Sequence, residues 1–275
     1  MTPLHALVLG IIQGLAEFLP ISSSGHLLIV PHLLGWEEQP LAFDVALHIG
    51  TLTTILVYFR RDWIELVSAS LRDLAAHGLR ISRWGAGGKL MLLIALGTVP
   101  AVLVGLGLSN VEERLRTPGV VAAMLVLVSG VMAAAERWSA RHPHDEGAYG
   151  RLTPRRVLLV GIAQACALVP GVSRSGATIS AGMFAGLGRA TAARFSFLLA
   201  TPVTLAAAVK ELPELRHASD QGISLLEIGI GISASLVVGV AAITLLLRYL
   251  QNRTLFPFIW YRVVLAAVIV ATLVR

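Results

Sequence analysis

Two segments of this chain have closely related sequences, and both place polar residues inside apolar surroundings. Residues 10–25 align without a gap with residues 161–176, an offset of 151 positions, and seven of the sixteen aligned pairs are identical. The identical polar pairs are Gln13 with Gln164, Ser22 with Ser173 and Ser24 with Ser175. Such a duplication predicts two related halves within one domain, at residues 1–140 and 150–275.

The positions that differ between the two copies carry the more reactive groups. The first copy contains Glu17 and is followed by His26, whereas the second has Arg174 where the first has Ser23. Because each copy holds groups that the other lacks, the sequence predicts one composite site to which both copies contribute.

The composition places the chain in a membrane. Hydrophobic residues make up 56% of the chain and charged residues 14%, whereas soluble domains carry about 25% charged residues. The formal net charge is +6. In a membrane protein, Lys and Arg residues in the loops set the orientation of the chain, so this charge does not indicate a nucleic-acid partner and we expect none. The single cysteine, Cys166, excludes an internal disulfide. The N-terminus lacks a basic region and a cleavage site, so we expect no removable signal peptide.

Long apolar runs predict six membrane-spanning helices, since a span needs roughly 20 apolar residues. We expect them at residues 43–59, 90–108, 119–136, 195–210, 223–247 and 257–274. Connections 60–89, 137–156 and 248–253 are basic and are predicted to be cytoplasmic. The segments between these connections are acidic or balanced in charge and are predicted to lie outside. Glu37 and Glu38 precede the first span, and Glu112 and Glu113 offset Arg114 and Arg116. The third of these segments contains Glu211, Glu214 and Asp220 with Lys210 and Arg216.

The duplicated segments are too short to span the bilayer. Thirteen residues, 157–169, precede Pro170, and eleven, 177–187, follow the Ser-Gly turn. At ~1.5 Å per residue neither piece crosses a ~30 Å hydrocarbon core. We therefore predict two re-entrant helical hairpins, at about residues 2–36 and 155–188, because broken backbone at membrane depth requires protein or a water-filled cavity around it.

The orientation of the two hairpins follows from the charge pattern. The first is predicted to enter from outside and the second from the cytoplasm, which makes the halves an inverted-topology repeat with broken helices that meet near the midplane. The predicted fold class is therefore an all-α integral membrane protein with six transmembrane helices and two re-entrant hairpins.

The turns of the two hairpins have the chemistry of a phosphate site. Ser and Gly before a helix favour N-caps and leave backbone amides free for an anion. Arg174 adds a planar fork that matches phosphate oxygens. The further residues expected to bind substrate are Gln13, which shares a helix face with Glu17, and Ser22, Ser24, Gly25, Ser173, Ser175, Gly176 and Thr178.

Other interpretations of these residues stay open. A Ser-Gly cluster near proline is also typical of a plain turn, and an intramembrane histidine such as His26 or His48 also serves as an interhelical hydrogen bonder. Asp44, at the start of the first span, either caps that span or reaches the site, and the cap is the preferred interpretation. Glu17 and Arg174 point more firmly to function, because a charged group inside an apolar segment is energetically costly.

The two segments resemble the motifs of a known family. Residues 13–26, Gln-x-x-x-Glu followed by Phe-Leu-Pro-Ile-Ser-Ser-Ser-Gly-His, resemble the N-terminal motif of the bacterial undecaprenyl-diphosphate phosphatases of the bacitracin-resistance type. Residues 170–178, Pro-Gly-Val-Ser-Arg-Ser-Gly-Ala-Thr, match the second motif of that family in full. The resemblance covers essentially the whole chain. It implies hydrolysis of undecaprenyl diphosphate to the monophosphate and inorganic phosphate, which recycles the lipid carrier for peptidoglycan synthesis and confers bacitracin resistance.

The resemblance also implies residue roles. Glu17 and His26 fall on the acidic and histidine catalytic positions, Ser23 on the proposed nucleophile and Arg174 on the diphosphate-binding arginine. It implies a divalent cation, Mg²⁺ or Ca²⁺, and a site open to the periplasmic side of the bacterial inner membrane. Because Gln13 stands where the family has Glu or Gln, either Glu17 and the Gln13 oxygen hold the ion together with substrate phosphates, or the ion arrives with the diphosphate.

Several choices remain open from the sequence. The nucleophile is Ser23, His26 or water, and the proton acceptor is His26 or Glu17. Partners are the lipid and the bilayer, with a homodimer as an open option. A secondary transporter or flippase for a lipid phosphate or small anion would share the architecture, but a pure transporter does not need Ser, His, Glu and Arg as converging reactive groups. A purely structural subunit would leave Glu17 and Arg174 unexplained.

Overall fold

The computed structural model describes residues 1–107, 114–142, 149–150 and 152–273, and the regular elements in these ranges are helical. The first half contains α1 (Pro3–Ala16), α2 (Ser23–Leu34), α3 (Leu41–Tyr58), α4 (Arg60–His77), α5 (Ala86–Gly107) and α6 (Pro118–Ser139). The second half contains α7 (Pro154–Cys166), α8 (Arg174–Phe184), α9 (Arg189–Glu211), α10 (Leu225–Asn252) and α11 (Phe256–Leu273). Short 3₁₀ turns occur at Ile81–Arg83 and Leu212–His217.

Six of these helices are long and apolar enough to span a membrane: α3, α5, α6, α9 with its following 3₁₀ turn, α10 and α11. The all-α membrane class and the six spans are thereby confirmed. Some helix ends differ from the predicted span ends, because the predicted spans contained only the apolar runs and stopped before the neighbouring charged residues. The helix α9 begins at Arg189 rather than at residue 195, because Arg189 and Arg194 pair with Glu136 and Asp62. The predicted span ends at 108 and 274, and Glu112 and Glu113, lie outside the described residues.

The basic connection 60–89 contains a helix that the sequence analysis did not predict. In α4, exposed apolar residues recur every three or four positions: Ile64, Val67, Leu71 and Leu74. An apolar stripe of this kind on a charged helix is typical of one that lies along a membrane interface.

The two duplicated segments fold into the same local structure. Each consists of two short helices joined by a non-helical break, at residues 17–22 and 167–173. Ser22 and Ser173 cap α2 and α8, and their hydroxyls accept from the amides of Gly25 at 3.4 Å and Gly176 at 3.2 Å. Their φ angles are +78° and +69°, and they are the two non-glycine residues with positive φ in the described ranges. The predicted N-caps are confirmed, whereas the re-entrant insertion and the inverted orientation stay predictions.

The halves are interleaved through close helix crossings. The helix α1 packs along α10, and α7 packs along α5, so that the first helix of each segment contacts the second span of the other half. The identical pair Gly10 and Gly161 explains this proximity. A Cβ at Gly161 would lie 2.3 Å from the carbonyl oxygen of Gly97, and one at Gly10 would lie 2.7 Å from the Ala234 Cβ. The duplicated glycines therefore allow the contacts that hold the two breaks in place.

Replacing Gly161 by Ala should lower the free energy of unfolding by about 1–3 kcal/mol, the usual cost of overpacking. Gly130→Ala is the matched control, because a Cβ there meets nothing within 4 Å. It should leave stability unchanged or raise it by up to about 1 kcal/mol, since alanine favours helix more than glycine does. Unfolding in SDS would compare them, and equal midpoints would contradict the close α5–α7 crossing.

Candidate active site

The two breaks contact each other directly. The Arg174 Nη2 donates to the Glu17 Oε1 and forms an ion pair with it. The backbone amide of Gly171 donates to the Ser24 Oγ at 3.0 Å, and the Ser175 Oγ donates to the carbonyl oxygen of Leu19 at 3.1 Å. Both copies of the duplicated segment thus contribute to one cluster of contacts, and the function of this cluster stays a prediction.

A cavity of about 280 Å³ adjoins this contact. Its wall includes residues from both breaks and the helices beside them, from the first turns of α3, from the last turns of α9 and from the segment before α6. They include Glu17, Ser22, Ser23, Ser24, Asp44, His48, Arg116, Gln164, Ser173, Arg174, Thr204 and Glu211. The start of α3, the end of α9 and the start of α6 are the helix ends that the charge pattern assigns to the outer side. The position of the cavity is therefore consistent with an outward opening.

Glu17 lies at the centre of a hydrogen-bond network. Its Oε2 accepts from the Ser23 Oγ at 2.8 Å and from the Gln13 Nε2 at 3.1 Å, while its Oε1 accepts from Arg174. The residue is buried, and a buried carboxylate is tolerated when it is paired and hydrogen-bonded. A hydroxyl that donates to a carboxylate is the arrangement of a nucleophile beside its base.

Arg174 connects the break to α9. It is the first residue of α8, directly after the Ser173 cap. Its Nη1 donates to the Thr204 Oγ1 while its Nη2 binds Glu17. The guanidinium is therefore held in the cavity wall between two helices, close to the backbone amides that begin α8.

Some predicted substrate-binding residues do not line this cavity. The Thr178 Oγ1 donates to the Arg174 carbonyl oxygen at 2.7 Å and also bonds the Ser196 hydroxyl, so this side chain supports α8. Gly25, Ser175, Gly176 and Gln13 are also absent from the cavity wall formed by the described residues. These residues act on the site through the backbone and through neighbours.

His26 lies behind the first break rather than in the cavity wall. Its Nδ1 is 2.7 Å from the carbonyl oxygen of Ser22, so this nitrogen carries the proton and donates it. The Nε2 is then free to accept from the hydroxyl of Tyr261 at 2.7 Å, and the two rings stack. Both ring nitrogens are occupied, which is the geometry of an interhelical hydrogen bonder.

Asp44 and His48 also line this cavity. For Asp44 this was the less preferred of two interpretations, and for His48 it was one of two that stayed open. The cap prediction for Asp44 is wrong: α3 begins after Pro40 with no side-chain cap, and Asp44 lies within the first helical turn. Its Oδ2 accepts from both terminal nitrogens of Arg116 at 3.2 Å. The His48 Nδ1 donates to the Asp44 carbonyl oxygen at 2.8 Å, and its Nε2 has no hydrogen-bond partner among the described residues.

Arg262 holds the second break from behind. It is fully buried in α11. Its Nη2 donates to the carbonyl oxygens of Gly171 at 3.1 Å and Val172 at 3.2 Å, and its Nε lies 3.3 Å from the Leu125 carbonyl oxygen in α6. A basic residue inside the last predicted span was a signal for this role, because such residues are placed against partners.

Glu17 and Gln13 do not fit a paired metal site in this arrangement. The Gln13 side chain turns its amide nitrogen to Glu17, and its Oε1 is enclosed without a partner. Both Glu17 oxygens accept hydrogen bonds from donors. In the ranges that the structure describes, no group of three or more His, Cys, Asp or Glu side chains is arranged for a metal.

A second cavity of about 300 Å³ adjoins the first and is mainly apolar. It lies between α5, α7 and α9, and its wall includes Ala101, Gly105 and Leu115. Leu168, Val203, Ala207 and Glu211 line both cavities. The two cavities therefore share part of their lining.

The fold defines a multi-pass membrane protein in which two duplicated breaks meet beside an internal cavity. The family model of the bacitracin resistance protein BacA matches residues 6–268. The chain belongs to this family.

Three relatives are each named undecaprenyl-diphosphatase. One from Geobacter sulfurreducens is 43% identical over 281 residues, which cover 99% of both chains. One from Trichlorobacter lovleyi is 44% identical over 270 residues, which cover 96% of this chain and 94% of the relative. One from Desulforudis audaxviator is 40% identical over 280 residues, which cover both chains completely.

Replacing Arg262 by Leu should destabilise the protein by about 3–5 kcal/mol, because removing a buried donor leaves several carbonyl groups without partners. Arg253→Leu is the matched control, since Arg253 is exposed just beyond α10. Its effect on stability should stay within about 0.5 kcal/mol. Unfolding of both variants in SDS measures the difference, and similar midpoints would contradict the anchoring role of Arg262.

Proposed function

We propose that this protein is a phosphatase that hydrolyses undecaprenyl diphosphate to undecaprenyl phosphate and inorganic phosphate. The observation that supports this most is the contact of the Ser23 hydroxyl with the Glu17 carboxylate beside Arg174, in one cavity built from both halves. Family membership and the names of the three relatives support the same reaction.

The two cavities suit the two parts of this substrate. We assign the diphosphate to the polar cavity and the first isoprene units to the apolar cavity beside it. The outer position of the cavity supports a multi-pass protein of the bacterial cytoplasmic membrane whose active site faces the periplasm. Hydrolysis there would return the lipid carrier to peptidoglycan synthesis and reduce the diphosphate that bacitracin sequesters.

Ser23 is the proposed nucleophile and Glu17 the proposed base. The Ser23 Oγ attacks the terminal phosphorus, its proton passes to the Glu17 Oε2, and the bond from that phosphorus to the bridging oxygen breaks. Undecaprenyl phosphate leaves and a phosphoserine remains. A water then attacks this phosphorus, the bond to Oγ breaks, Oγ regains the proton from Glu17, and one proton of the water passes to solvent.

Positive charge and amide donors stabilise the phosphoryl group during transfer. Arg174 offers a guanidinium fork, and the first amides of α2 and α8 lie beside the Ser22 and Ser173 caps. Preorganised donors of this kind act where negative charge develops. When a phosphate accepts hydrogen bonds from Arg174, the negative charge of the Glu17 carboxylate is less neutralised. The carboxylate then becomes free to accept the proton.

His26 has a positioning role in this proposal. Its bond to the Ser22 carbonyl holds the backbone from which Ser23 projects, and Tyr261 holds the imidazole in turn. Glu17 is therefore preferred over His26 as the proton acceptor. A divalent cation, Mg²⁺ or Ca²⁺, is proposed to arrive with the diphosphate, since Glu17 and Gln13 do not present paired oxygens, and no step above depends on it.

Purified wild-type protein in detergent should release phosphate from undecaprenyl or farnesyl diphosphate. Ser23→Ala should lower kcat by at least about 10²-fold, because the mechanism loses its nucleophile. Ser180→Ala is the matched control: Ser180 is buried in α8, and its hydroxyl bonds the carbonyl oxygen of Gly176 outside the cavity wall. This variant should keep most of the wild-type rate.

Two results would contradict the proposal. Wild-type protein that releases no phosphate but moves a lipid phosphate or an anion across proteoliposomes would favour a transporter. Phosphate release that survives in the Ser23→Ala variant would exclude Ser23 as the nucleophile. Assays with and without EDTA test the cation, and equal rates would exclude a need for it.

A further inference from the structure

Arg116 is a second arginine in the wall of the active-site cavity, and the mechanism above does not use it. It lies two residues before α6, next to Thr117, whose hydroxyl caps that helix by accepting from the Val120 amide at 3.4 Å. The cap fixes the backbone next to Arg116. A long and flexible side chain is thereby attached at a defined point of the cavity wall.

The partners of Arg116 hold it without using all its donors. Its Nη1 and Nη2 both lie 3.2 Å from the Asp44 Oδ2, and its Nη2 lies 3.4 Å from the Glu38 Oε1. Strong charge-assisted hydrogen bonds are shorter, at about 2.7–2.9 Å. The side chain is 31% exposed, and its Nε has no hydrogen-bond partner among the described residues. The guanidinium can therefore accept a further anionic ligand.

The position of Arg116 relates the two cavities. Arg116 lines the polar cavity, whereas its neighbour Leu115 lines the apolar one. Leu168, Val203, Ala207 and Glu211 line both cavities, so one carboxylate also faces the shared wall. Between Leu115 and Arg116 the chain passes from the wall of the apolar cavity to the wall of the polar cavity, and we call this place the junction.

A prenyl diphosphate bound as proposed has a phosphate at that junction. The terminal phosphate must reach Ser23 and Arg174, and the hydrocarbon must leave through apolar surroundings. The lipid-linked phosphate lies between them. We propose that Arg116, positioned by Asp44, is the subsite for this lipid-linked phosphate, which it binds through its guanidinium fork. This subsite rests on the proposed function.

The proposed subsite predicts that loss of Arg116 weakens inhibition by a prenyl phosphate but does not weaken inhibition by inorganic phosphate. The lipid-linked phosphate is present in substrate and lipid product alike, so its binding contributes to the affinity for both. Inorganic phosphate carries no tail and binds beside Arg174. Arg116→Gln should therefore weaken binding of a prenyl diphosphate and a prenyl monophosphate, but not of inorganic phosphate.

The experiment compares Arg116→Gln with Arg114→Gln. Arg114 belongs to the same connection, is exposed and lies outside the cavity wall, so its variant removes the same charge from the same side. With farnesyl diphosphate in detergent, Arg116→Gln should raise KM about 10- to 100-fold, the range expected for lost hydrogen bonds to a charged group. Its kcat should stay within about threefold of wild type, and inhibition by farnesyl phosphate should weaken by a similar factor to KM.

A further variant tests the role of Asp44. In wild type, Asp44→Asn should raise KM because Arg116 loses its anchor, whereas in the Arg116→Gln background it should add nothing further. The inference is overturned if Arg116→Gln behaves like Arg114→Gln. It is also overturned if inhibition by inorganic phosphate weakens as much as inhibition by farnesyl phosphate. Failure of the proposed function would appear differently, as absence of phosphate release from wild-type protein.

Discussion

The ion pair between Glu17 and Arg174 is the interaction on which the site depends. It joins the two breaks, and each partner comes from a different half of the chain. Neither charge is tolerable alone in an apolar interior, where an unpaired ion costs several kcal/mol. Paired, the two groups place a carboxylate beside the Ser23 hydroxyl and a guanidinium at a cavity wall. The contact that joins the halves also brings together the groups to which the proposed mechanism assigns phosphoryl transfer.

The duplicated segments stabilise the non-helical backbone of their two breaks in the same way. Each break has a serine cap at positive φ and a glycine three residues later, and each is held by a side chain that lies outside the break. His26 binds the first break and Arg262 the second. Positive φ at a non-glycine residue persists only where surrounding contacts enforce it. The two breaks are therefore held in place by the surrounding fold, and the copies differ in the charged residue that each contributes, Glu17 or Arg174.

Much of this could be predicted from the sequence, because apolar runs, charged connections and an ungapped duplication each have a direct structural consequence. They predicted the six spans, the two caps and the meeting of the breaks. Side chains that arrive from distant helices left no such signal. Asp44 and Arg116 meet across 72 positions of sequence, so the sequence favoured a cap for Asp44 over a place in the site. The direction of the His26 ring, away from the cavity, depends on Tyr261 in the last helix. The helix α4 was not predicted, because its arginines led the whole segment to be interpreted as a basic connection.

The central claim is that Glu17 and Arg174 contact each other across the two halves. A double-mutant cycle on unfolding in SDS, with Glu17→Gln, Arg174→Gln and the double variant, measures this contact most directly. The structure predicts a coupling free energy of about 2 kcal/mol or more, because residues in direct contact within one network couple strongly. Effects that add within about 0.5 kcal/mol, as for distant and independent sites, would contradict it.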